Sequence, residues 1–311
     1  MKPKFYFFSV LCALILIKAL TSLYDYTHDF RVDYISSPIT YHPEWEIKGQ
    51  LEKNEIKKIF KQPFSYLGKG GQAYAFESQD GKYVLKFVKF KFLQPRLKHQ
   101  LLSLVPFFED WNANEMERRL RKFHDFYLGY KLAFEVNPEN SGLVYLHFNP
   151  TFNQFGSVIL YDRKGLKHFV DLDQTVFIIQ KKGEMLNDLL VKLLKTGKVQ
   201  EAKQKIEKIL EMYVTHYQMG LHDLGFGVIH NTGFVGDFPI HVDLGKMTWD
   251  EDIKKLEFYK EDLTVIAGKI EAWLKDCFPL HHTELSAAIE QKLSSIFNED
   301  FSFANLGTLI R

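Results

Sequence analysis

The stretch "GLHDLGFGVIHNTGFVGDFPIHVDLGKM", from Gly220 to Met247, decides the fold class of this chain. Within it, Asp223, Asn231 and Asp243 are separated by runs of apolar residues and glycine. The alternating run "PIHV" directly before Asp243 predicts a strand, and Gly245 predicts a turn after it. The Asp243 carboxylate is therefore expected to project from the end of a strand.

A second informative stretch, "SYLGKGGQAYAFESQDGKYVLKF", runs from Ser65 to Phe87 and contains four glycines. Glycine has no side chain, so it lets backbone N–H groups approach phosphate oxygens. Lys86 lies in an apolar predicted strand, where an ammonium group is costly unless it has anionic partners. The alternative is an ordinary β-meander, with the glycines at turns and Lys86 on a solvated face.

The remaining pattern places strands early and helices late. Short apolar runs bounded by glycine or polar turns predict strands at 65–70, 72–78, 82–90, 142–148, 157–162 and 168–180. Apolar residues at helical spacing predict one long helix at 108–136 and later helices at 199–219, 256–276 and 283–297. The sequence therefore predicts an α+β protein with two lobes.

This order of elements and motifs resembles the protein-kinase superfamily. The run from Gly68 to Ala75 is similar to the kinase glycine-rich loop, with Ala73 and Ala75 in place of its third glycine and its valine. "YVLKF" resembles the lysine motif of the third strand, and Asp243-Leu244-Gly245 resembles D-F-G. The resemblance covers roughly Phe64 to Phe297 and implies a divergent bacterial relative of the small-molecule or atypical kinases.

The fold that the resemblance implies is bilobal, with a small antiparallel β lobe that carries one long helix and a mainly α-helical lobe. We expect the first lobe at 64–182 and an abbreviated second lobe at 183–311. Residues 23–63 are expected to form a linker or N-terminal arm. Only 66 residues follow Gly245 and no A-P-E motif is present, so a full platform for peptide substrates is not expected.

The resemblance also assigns ATP-binding residues. Gly68, Gly70 and Gly71 would approach the phosphates, and Lys86 would orient the α- and β-phosphates. The backbone amides of the segment 179–182, including Ile179 and Lys181, would bind adenine.

A glutamate on the long helix holds the corresponding lysine in active kinases. We assign this role to Glu117, because Leu120 three residues later borders the predicted apolar stripe. The neighbouring basic residues of the helix, namely Arg118, Arg119 and Lys122, are interpreted as a solvated face.

The catalytic loop carries the remaining implied roles. Asp223 would accept the proton of an attacking hydroxyl, and Asn231 and Asp243 would bind Mg²⁺ through their amide and carboxylate oxygens. Asp223 and Asn231 are eight residues apart, whereas the kinase pattern separates these positions by five. Asp237 is an alternative acid.

Three functional hypotheses follow. The first is ATP- and Mg²⁺-dependent phosphoryl transfer to an unknown small-molecule or protein acceptor. The second is an exported pseudokinase that binds a nucleotide or a protein without catalysis, which the altered catalytic loop favours. The third is a surface or periplasmic binding domain whose glycines are only turns.

The N-terminus predicts export or membrane anchoring. Positive charge in "MKPK" precedes an uninterrupted apolar run at residues 5–17, which Lys18 ends. Thirteen apolar residues are few for a membrane-spanning helix and suit the core of a signal peptide. We therefore expect residues 1–22 to be a signal peptide or an anchor, with membrane contact through residues 5–17; a buried first helix is the alternative.

Composition excludes several other classes. Forty basic and 39 acidic residues leave no overall charge to attract nucleic acid. Cys12 and Cys277 are too few for a disulfide framework. His222, His230 and His241 are spaced by eight and eleven residues, which matches no common zinc motif.

Overall fold

The computed structural model describes residues 11–20, 30–38, 40–49, 51–90 and 109–306. The strands are β1 Phe64–Lys69, β2 Ala73–Ser78, β3 Tyr83–Val88, β4 Leu143–His147, β5 Ser157–Tyr161, β6 Lys167–Asp171, β7 Phe177–Lys181, β8 Glu184–Met185, β9 Leu221–Asp223, β10 Thr232–Val235, β11 Phe238–His241 and β12 Met247–Trp249. In the described residues from 51 onwards, the α-helices are α1 Lys53–Ile59, α2 Glu109–Val136, α3 Pro138–Ser141, α4 Leu186–Lys195, α5 Val199–Gln218, α6 Val228–Asn231, α7 Leu256–Cys277 and α8 Pro279–Phe297.

A seven-stranded sheet dominates the first part of the chain, in the order β4-β7-β3-β2-β1-β5-β6. Its neighbouring strands are antiparallel, except that β1 and β5 run parallel. The sheet is therefore mixed and larger than the predicted small antiparallel lobe. The single predicted strand at 168–180 is two strands, because a short 3-10 turn at Leu172–Gln174 carries the chain from β6 to β7.

Each face of this sheet packs on its own hydrophobic core. Alternate residues of β2 point to opposite faces, so Tyr74 and Phe76 are buried on one side. On the other side, the aromatic face of α2 covers the sheet with Phe126 and Tyr130, which are each 2% exposed. The predicted helix at 108–136 matches α2 closely, and its aromatic residues pack in the core on this side of the sheet.

Part of the predicted linker at 23–63 belongs to the sheet domain. Ile35 and Ile56 are fully buried in the core on the Phe76 side of the sheet, and Ser36 makes a β-bridge to Thr175. Helix α1 therefore packs as a structural element, in place of a free linker.

Helices build the last part of the chain. Helices α4, α5, α7 and α8 surround a separate apolar core that contains Leu210, Leu263 and Leu293. Two small sheets, β11-β10-β8 and β9-β12, lie next to these helices. The α+β class is confirmed, and the sheet-rich and helix-rich parts are compatible with a bilobal arrangement.

Residues 11–20 are helical and exposed throughout. In the described part of the chain, no helix has the length and apolar character needed to cross a membrane. Residues 1–10 and 21–22 of the predicted export segment lie outside the described residues.

Candidate functional site

A cavity of about 1230 Å³ lies between the sheet and the segment that follows β11. Five of the predicted site residues line it, although they come from four separate regions of the chain: Gly70, Gly71, Lys86, Asn231 and Asp243. Lys86 and Asp243, to which the kinase resemblance assigns roles at one bound nucleotide, both line this cavity.

Lys86 lies in the middle of the sheet, where β3 pairs with β2 and β7 opposite Ala75 and Ile178. The side chain is 8% exposed. Its Nζ donates hydrogen bonds to the Val242 carbonyl oxygen at 2.6 Å and to the Tyr130 hydroxyl at 3.4 Å. Burial lowers the pKa of Lys86 to about 8, and the nearby negative charge of Asp243 opposes this shift.

The hairpin between β10 and β11 brings Asn231 and Asp243 together. Asn231 precedes β10, Asp243 follows β11, and the Val242 N–H donates to the Asn231 carbonyl oxygen at 2.6 Å. Asp243 Oδ1 accepts a hydrogen bond from the Gly245 N–H at 3.3 Å. One carboxylate and one amide side chain thus line the same cavity, and this donor set suits Mg²⁺ when phosphate and water complete the coordination.

Helix α2 contributes a residue that the sequence reasoning did not assign, Tyr130. Its hydroxyl lies at Lys86, and its ring centroid is 5.6 Å from the Lys86 ammonium. Burial and the charge of Asp243 raise the pKa of Tyr130 well above its ordinary value, although a backbone hydrogen bond to Leu244 opposes the rise. The phenol therefore stays neutral and connects Lys86 with the segment that carries Asp243.

Gly129 allows this close approach of α2 to the segment after β11. A Cβ atom at position 129 would overlap the Leu244 carbonyl oxygen and lie 3.1 Å from the Met247 carbonyl oxygen. A glycine in a helix interior is otherwise unfavourable, so this backbone contact gives position 129 a packing reason for glycine.

The turn between β1 and β2 covers the cavity. The Gly70 N–H donates to the Ala73 carbonyl at 2.9 Å, and buried Lys89 donates to the Gly70 carbonyl at 2.7 Å. Gln72 Nε2 reaches the Lys122 carbonyl on α2 at 3.2 Å. These contacts hold the turn over the cavity and against the helix.

Gly70 and Gly71 are not required by the described fold itself. Neither has a positive φ, and a Cβ at either position would meet no atom of the described residues within 4 Å. The bare backbone faces the cavity. We interpret the open space beside these two glycines as room for a bound ligand.

If the cavity binds the nucleotide that the kinase resemblance implies, alanine at positions 70 and 71 is expected to weaken that binding about tenfold without lowering stability. The reason is that the added methyl groups would occupy ligand space and would meet no atom in the described part of the chain within 4 Å, while alanine slightly restricts the unfolded chain. Urea unfolding and equilibrium binding of ATP with Mg²⁺ measure the two effects separately. A loss of stability with unchanged affinity would contradict this interpretation and make the glycines ordinary turn residues.

Gly68 and Glu117 do not line the cavity. Gly68 lies in β1 at an irregularity in the pairing with β2. Glu117 pairs with Arg121 and its side chain is 63% exposed. It precedes the Lys86 contact Tyr130 by 13 residues, or about 20 Å along a helix. The predicted Lys86–Glu117 ion pair is therefore wrong, because Leu120, which suggested it, is half exposed and lies outside the buried stripe.

The predicted adenine contacts at Ile179 and Lys181 are also not available. Strand β7 lies between β3 and β4, so Ile179 is fully buried inside the sheet. The Lys181 N–H donates to the Gly142 carbonyl oxygen and the Lys182 N–H to the Lys82 carbonyl oxygen, each at 2.8 Å. Because these amides are already paired, they cannot bind a base edge in this arrangement.

Asp223 is not among the residues that line the cavity. It is 3% exposed; its Oδ1 accepts from the Gly225 N–H at 2.8 Å, and its Oδ2 lies 3.1 Å from His241 Nε2. Burial alone would raise the pKa of Asp223, but His241 and the Gly225 amide outweigh burial and lower it. The stacked ring of His216 stays neutral near pH 7, because burial and His241 lower its pKa to about 3.

Of the histidines and the alternative acid considered from the sequence, only His230 lines the cavity among the described residues. His222 pairs with Asp262 and Asp250, and these contacts raise its pKa. Asp237 is an exposed partner of Lys205 on α5. Among the described residues, no group of three or more histidine, cysteine or acidic side chains is arranged to hold a metal ion.

Comparison with known proteins adds little to this geometry. No family model matches the chain. No curated protein matches it either. Among solved structures, the chain is similar to one described as the complex structure of Rv3197-erythromycin from Mycobacterium tuberculosis, with a TM-score of 0.33 and 13% identity. The match covers 78% of this chain and 61% of that chain, so it spans less than two thirds of the neighbour.

Proposed function

We propose that this chain is a divergent kinase-like protein that binds ATP with Mg²⁺ and transfers its terminal phosphoryl group to an acceptor. One observation carries the proposal: Lys86, Asn231 and Asp243 line one cavity, under a turn whose backbone is bare at Gly70 and Gly71. A cation, two oxygen donors for a metal and a glycine backbone that phosphate can approach closely are groups that phosphoryl transfer uses.

The strand pairing around the cavity supports this proposal. Strand β9 before Asn231 pairs with β12 after Asp243, and the β10–β11 hairpin lies between the two residues. This pairing brings the oxygen donors Asn231 and Asp243 close together. Lys86, although it is far from them in sequence, lines the same cavity. The arrangement agrees with the order of catalytic loop, hairpin and D-F-G segment in the kinase pattern.

The chain's own residues then have definite tasks. Lys86 would contact the phosphates, because the Val242 carbonyl and the Tyr130 hydroxyl aim its ammonium into the cavity. Asn231 and Asp243 would hold Mg²⁺, which neutralises charge on the phosphoryl oxygens when it is bound. In this geometry Asp223 is a positioning residue, since it links the Gly225 amide before Asn231 to His241 before Asp243.

A pseudokinase is the second candidate, and the position of Asp223 favours it. The predicted proton acceptor is buried against His241 and does not line the cavity. Nucleotide binding would persist in such a protein, but phosphoryl transfer would not.

Two measurements test the proposal in sequence. ATP is expected to raise the melting temperature of the full chain only when Mg²⁺ is present, and γ-labelled ATP is expected to lose its label with turnover. A Mg²⁺-dependent shift without turnover would indicate the pseudokinase. The absence of a shift with any nucleotide would exclude phosphoryl transfer and a nucleotide-binding pseudokinase. A protein-binding pseudokinase or a binding domain whose glycines are turns would then remain.

A further inference from the structure

Helix α2 brings a second carboxylate to the cavity, that of Asp125. Among the described residues that line the cavity, Asp125 and Asp243 are the two acidic ones. Asp243 has the metal-binding role in the proposed function, so Asp125 is the remaining carboxylate. The basic residues Arg118, Arg119 and Lys122 of the same helix line the cavity as well, so this part of α2 is more than a solvated face.

We infer that Asp125 accepts the proton of the hydroxyl group that attacks the terminal phosphate of ATP. This inference rests on the proposed phosphotransferase function, and it makes the acceptor a hydroxyl compound. The hydroxyl oxygen bonds to the terminal phosphorus, while the bond from this phosphorus to the bridging oxygen of ADP breaks. The hydroxyl proton passes to the Asp125 carboxylate and then to water, which leaves ADP and a phosphate ester.

The residue that the kinase pattern assigns to this task does not reach the cavity. Asp223 is 3% exposed, and its carboxylate contacts the Gly225 N–H and His241. A proton acceptor has to come within hydrogen-bond distance of the hydroxyl group. Because Asp223 does not line the cavity and Asp125 does, the described geometry favours Asp125 as the proton acceptor.

The Asp125 side chain is accessible to an incoming molecule. The residue is exposed on α2, although it lines the cavity. Its side chain forms no hydrogen bond or ion pair with any other described residue. The carboxylate is therefore available to a hydroxyl group that enters from solvent. Aspartate also carries out this step in protein kinases, so the residue type suits the reaction.

The position of Asp125 along α2 lies between two contacts of the groups that would hold the nucleotide. The Gln72 side chain, on the covering turn, donates to the Lys122 carbonyl oxygen. The Tyr130 hydroxyl contacts the ammonium of Lys86. Asp125 follows Lys122 by three residues and precedes Tyr130 by five, or about 4.5 and 7.5 Å along the helix axis. Phosphates held between the covering turn and Lys86 would thus lie beside the part of α2 that carries the carboxylate.

Asp125→Asn tests this role, because it keeps the shape of the side chain and removes the carboxylate. Water serves as the probe acceptor, and the release of label from γ-labelled ATP is measured with the full chain in excess over ATP and Mg²⁺ present. General acid–base catalysis contributes about 10²–10⁴-fold, so we expect the variant to release label at least a hundredfold more slowly. Its affinity for the non-hydrolysable analogue AMP-PNP with Mg²⁺ should stay within about twofold of the wild type.

Glu135→Gln is the matched control, because it removes one exposed carboxylate from the same helix outside the cavity. It should change neither the rate of label release nor the affinity for AMP-PNP. The inference is overturned if Asp125→Asn releases label at the wild-type rate, or if the control slows release as much as Asp125→Asn does. A loss of AMP-PNP affinity in Asp125→Asn that equals the loss of rate would also overturn it, since Asp125 would then bind the metal or the nucleotide.

Failure of the proposed function gives a different result. A wild-type chain that binds AMP-PNP and releases no label is a pseudokinase, and this result would overturn the inference together with phosphoryl transfer. Label release by the wild type and by Asp125→Asn at equal rates would overturn the inference alone.

Discussion

Lys86→Met is expected to raise the stability of the nucleotide-free protein while it lowers ATP affinity at least a hundredfold. Burial lowers the pKa of Lys86 from 10.5 to about 8, so the folded protein holds a charge at an energetic cost. A shift of this size corresponds to about 3 kcal/mol. Because the Val242 carbonyl loses its donor in the variant, we expect a net gain of about 1–2 kcal/mol.

The pH dependence identifies the cause of this gain. The pKa of Lys86 is lower in the folded than in the unfolded protein, so the unfolded chain binds more protons between about pH 8 and 10.5. The destabilisation by Lys86 is complete below pH 8 and disappears as pH rises through this interval. Urea unfolding should therefore show the stability difference between Lys86→Met and the wild type shrinking from pH 8 to 10.

Lys181→Met is the control for this experiment. Lys181 lies in β7 of the same sheet, but its side chain is exposed and does not line the cavity. It should change neither stability nor affinity by more than a small amount. A destabilised Lys86→Met protein, or one that still binds ATP normally, would show that the ammonium is satisfied inside the fold and has no ligand role.

Gly129→Ala is expected to destabilise the protein by about 2–4 kcal/mol, in the range of overpacked or strained core substitutions. Helix propensity alone predicts the opposite, a gain of about 1 kcal/mol. The contact decides the sign, because the methyl group would overlap the Leu244 carbonyl and press on Met247. Backbone atoms cannot avoid the methyl group by a rotamer change, as a flexible side chain can.

The same substitution is expected to reduce nucleotide affinity. Leu244 follows Asp243 directly, so a displaced backbone moves the carboxylate away from Lys86. Hydrogen exchange should increase at residues 243–247, and urea unfolding should report the lost stability. Glu135→Ala, an exposed position of the same helix, serves as the control and should stay within about 0.5 kcal/mol of the wild type. A stabilised Gly129→Ala protein would contradict the close packing of α2 on this segment.

The secondary-structure elements and the shared location of distant polar residues were predicted well from the sequence. The contacts that these polar residues make were predicted less well. Regular apolar spacing was sufficient for α2, α5, α7 and α8, since each buries one face. The kinase resemblance, which depends on the order of the motifs around Lys86, Asn231 and Asp243, also implied that these residues share a site, and they line one cavity.

Contacts across helix α2 were not predictable from spacing alone. Leu120 suggested an apolar border near Glu117, but the buried stripe consists of aromatic residues further along the helix, and Tyr130 provides the contact to Lys86. Where a long helix crosses a sheet depends on tertiary packing, such as the Gly129 contact, which no local pattern reveals.

The order of the strands in the large sheet was also not predictable from local sequence patterns. The parallel pairing of β1 with β5 joins strands that are about 90 residues apart. Strand β7 was expected to lead into a region with free amides. It instead lies between two strands, so Ile179 has no exposed backbone. The register and the neighbours of a strand depend on contacts with residues that are far away in the sequence. The alternation of side chains within one strand does not specify which strands these are.

The central claim is that Lys86, Asn231 and Asp243 form one site for a metal-bound nucleotide, and calorimetric titration of the full chain with AMP-PNP tests it most directly. We expect binding with Mg²⁺, at least a hundredfold weaker binding when Mg²⁺ is removed by chelation, and the same loss in Asp243→Asn with Mg²⁺ present. Equal affinity in all three titrations, or no binding in the first, would contradict the claim.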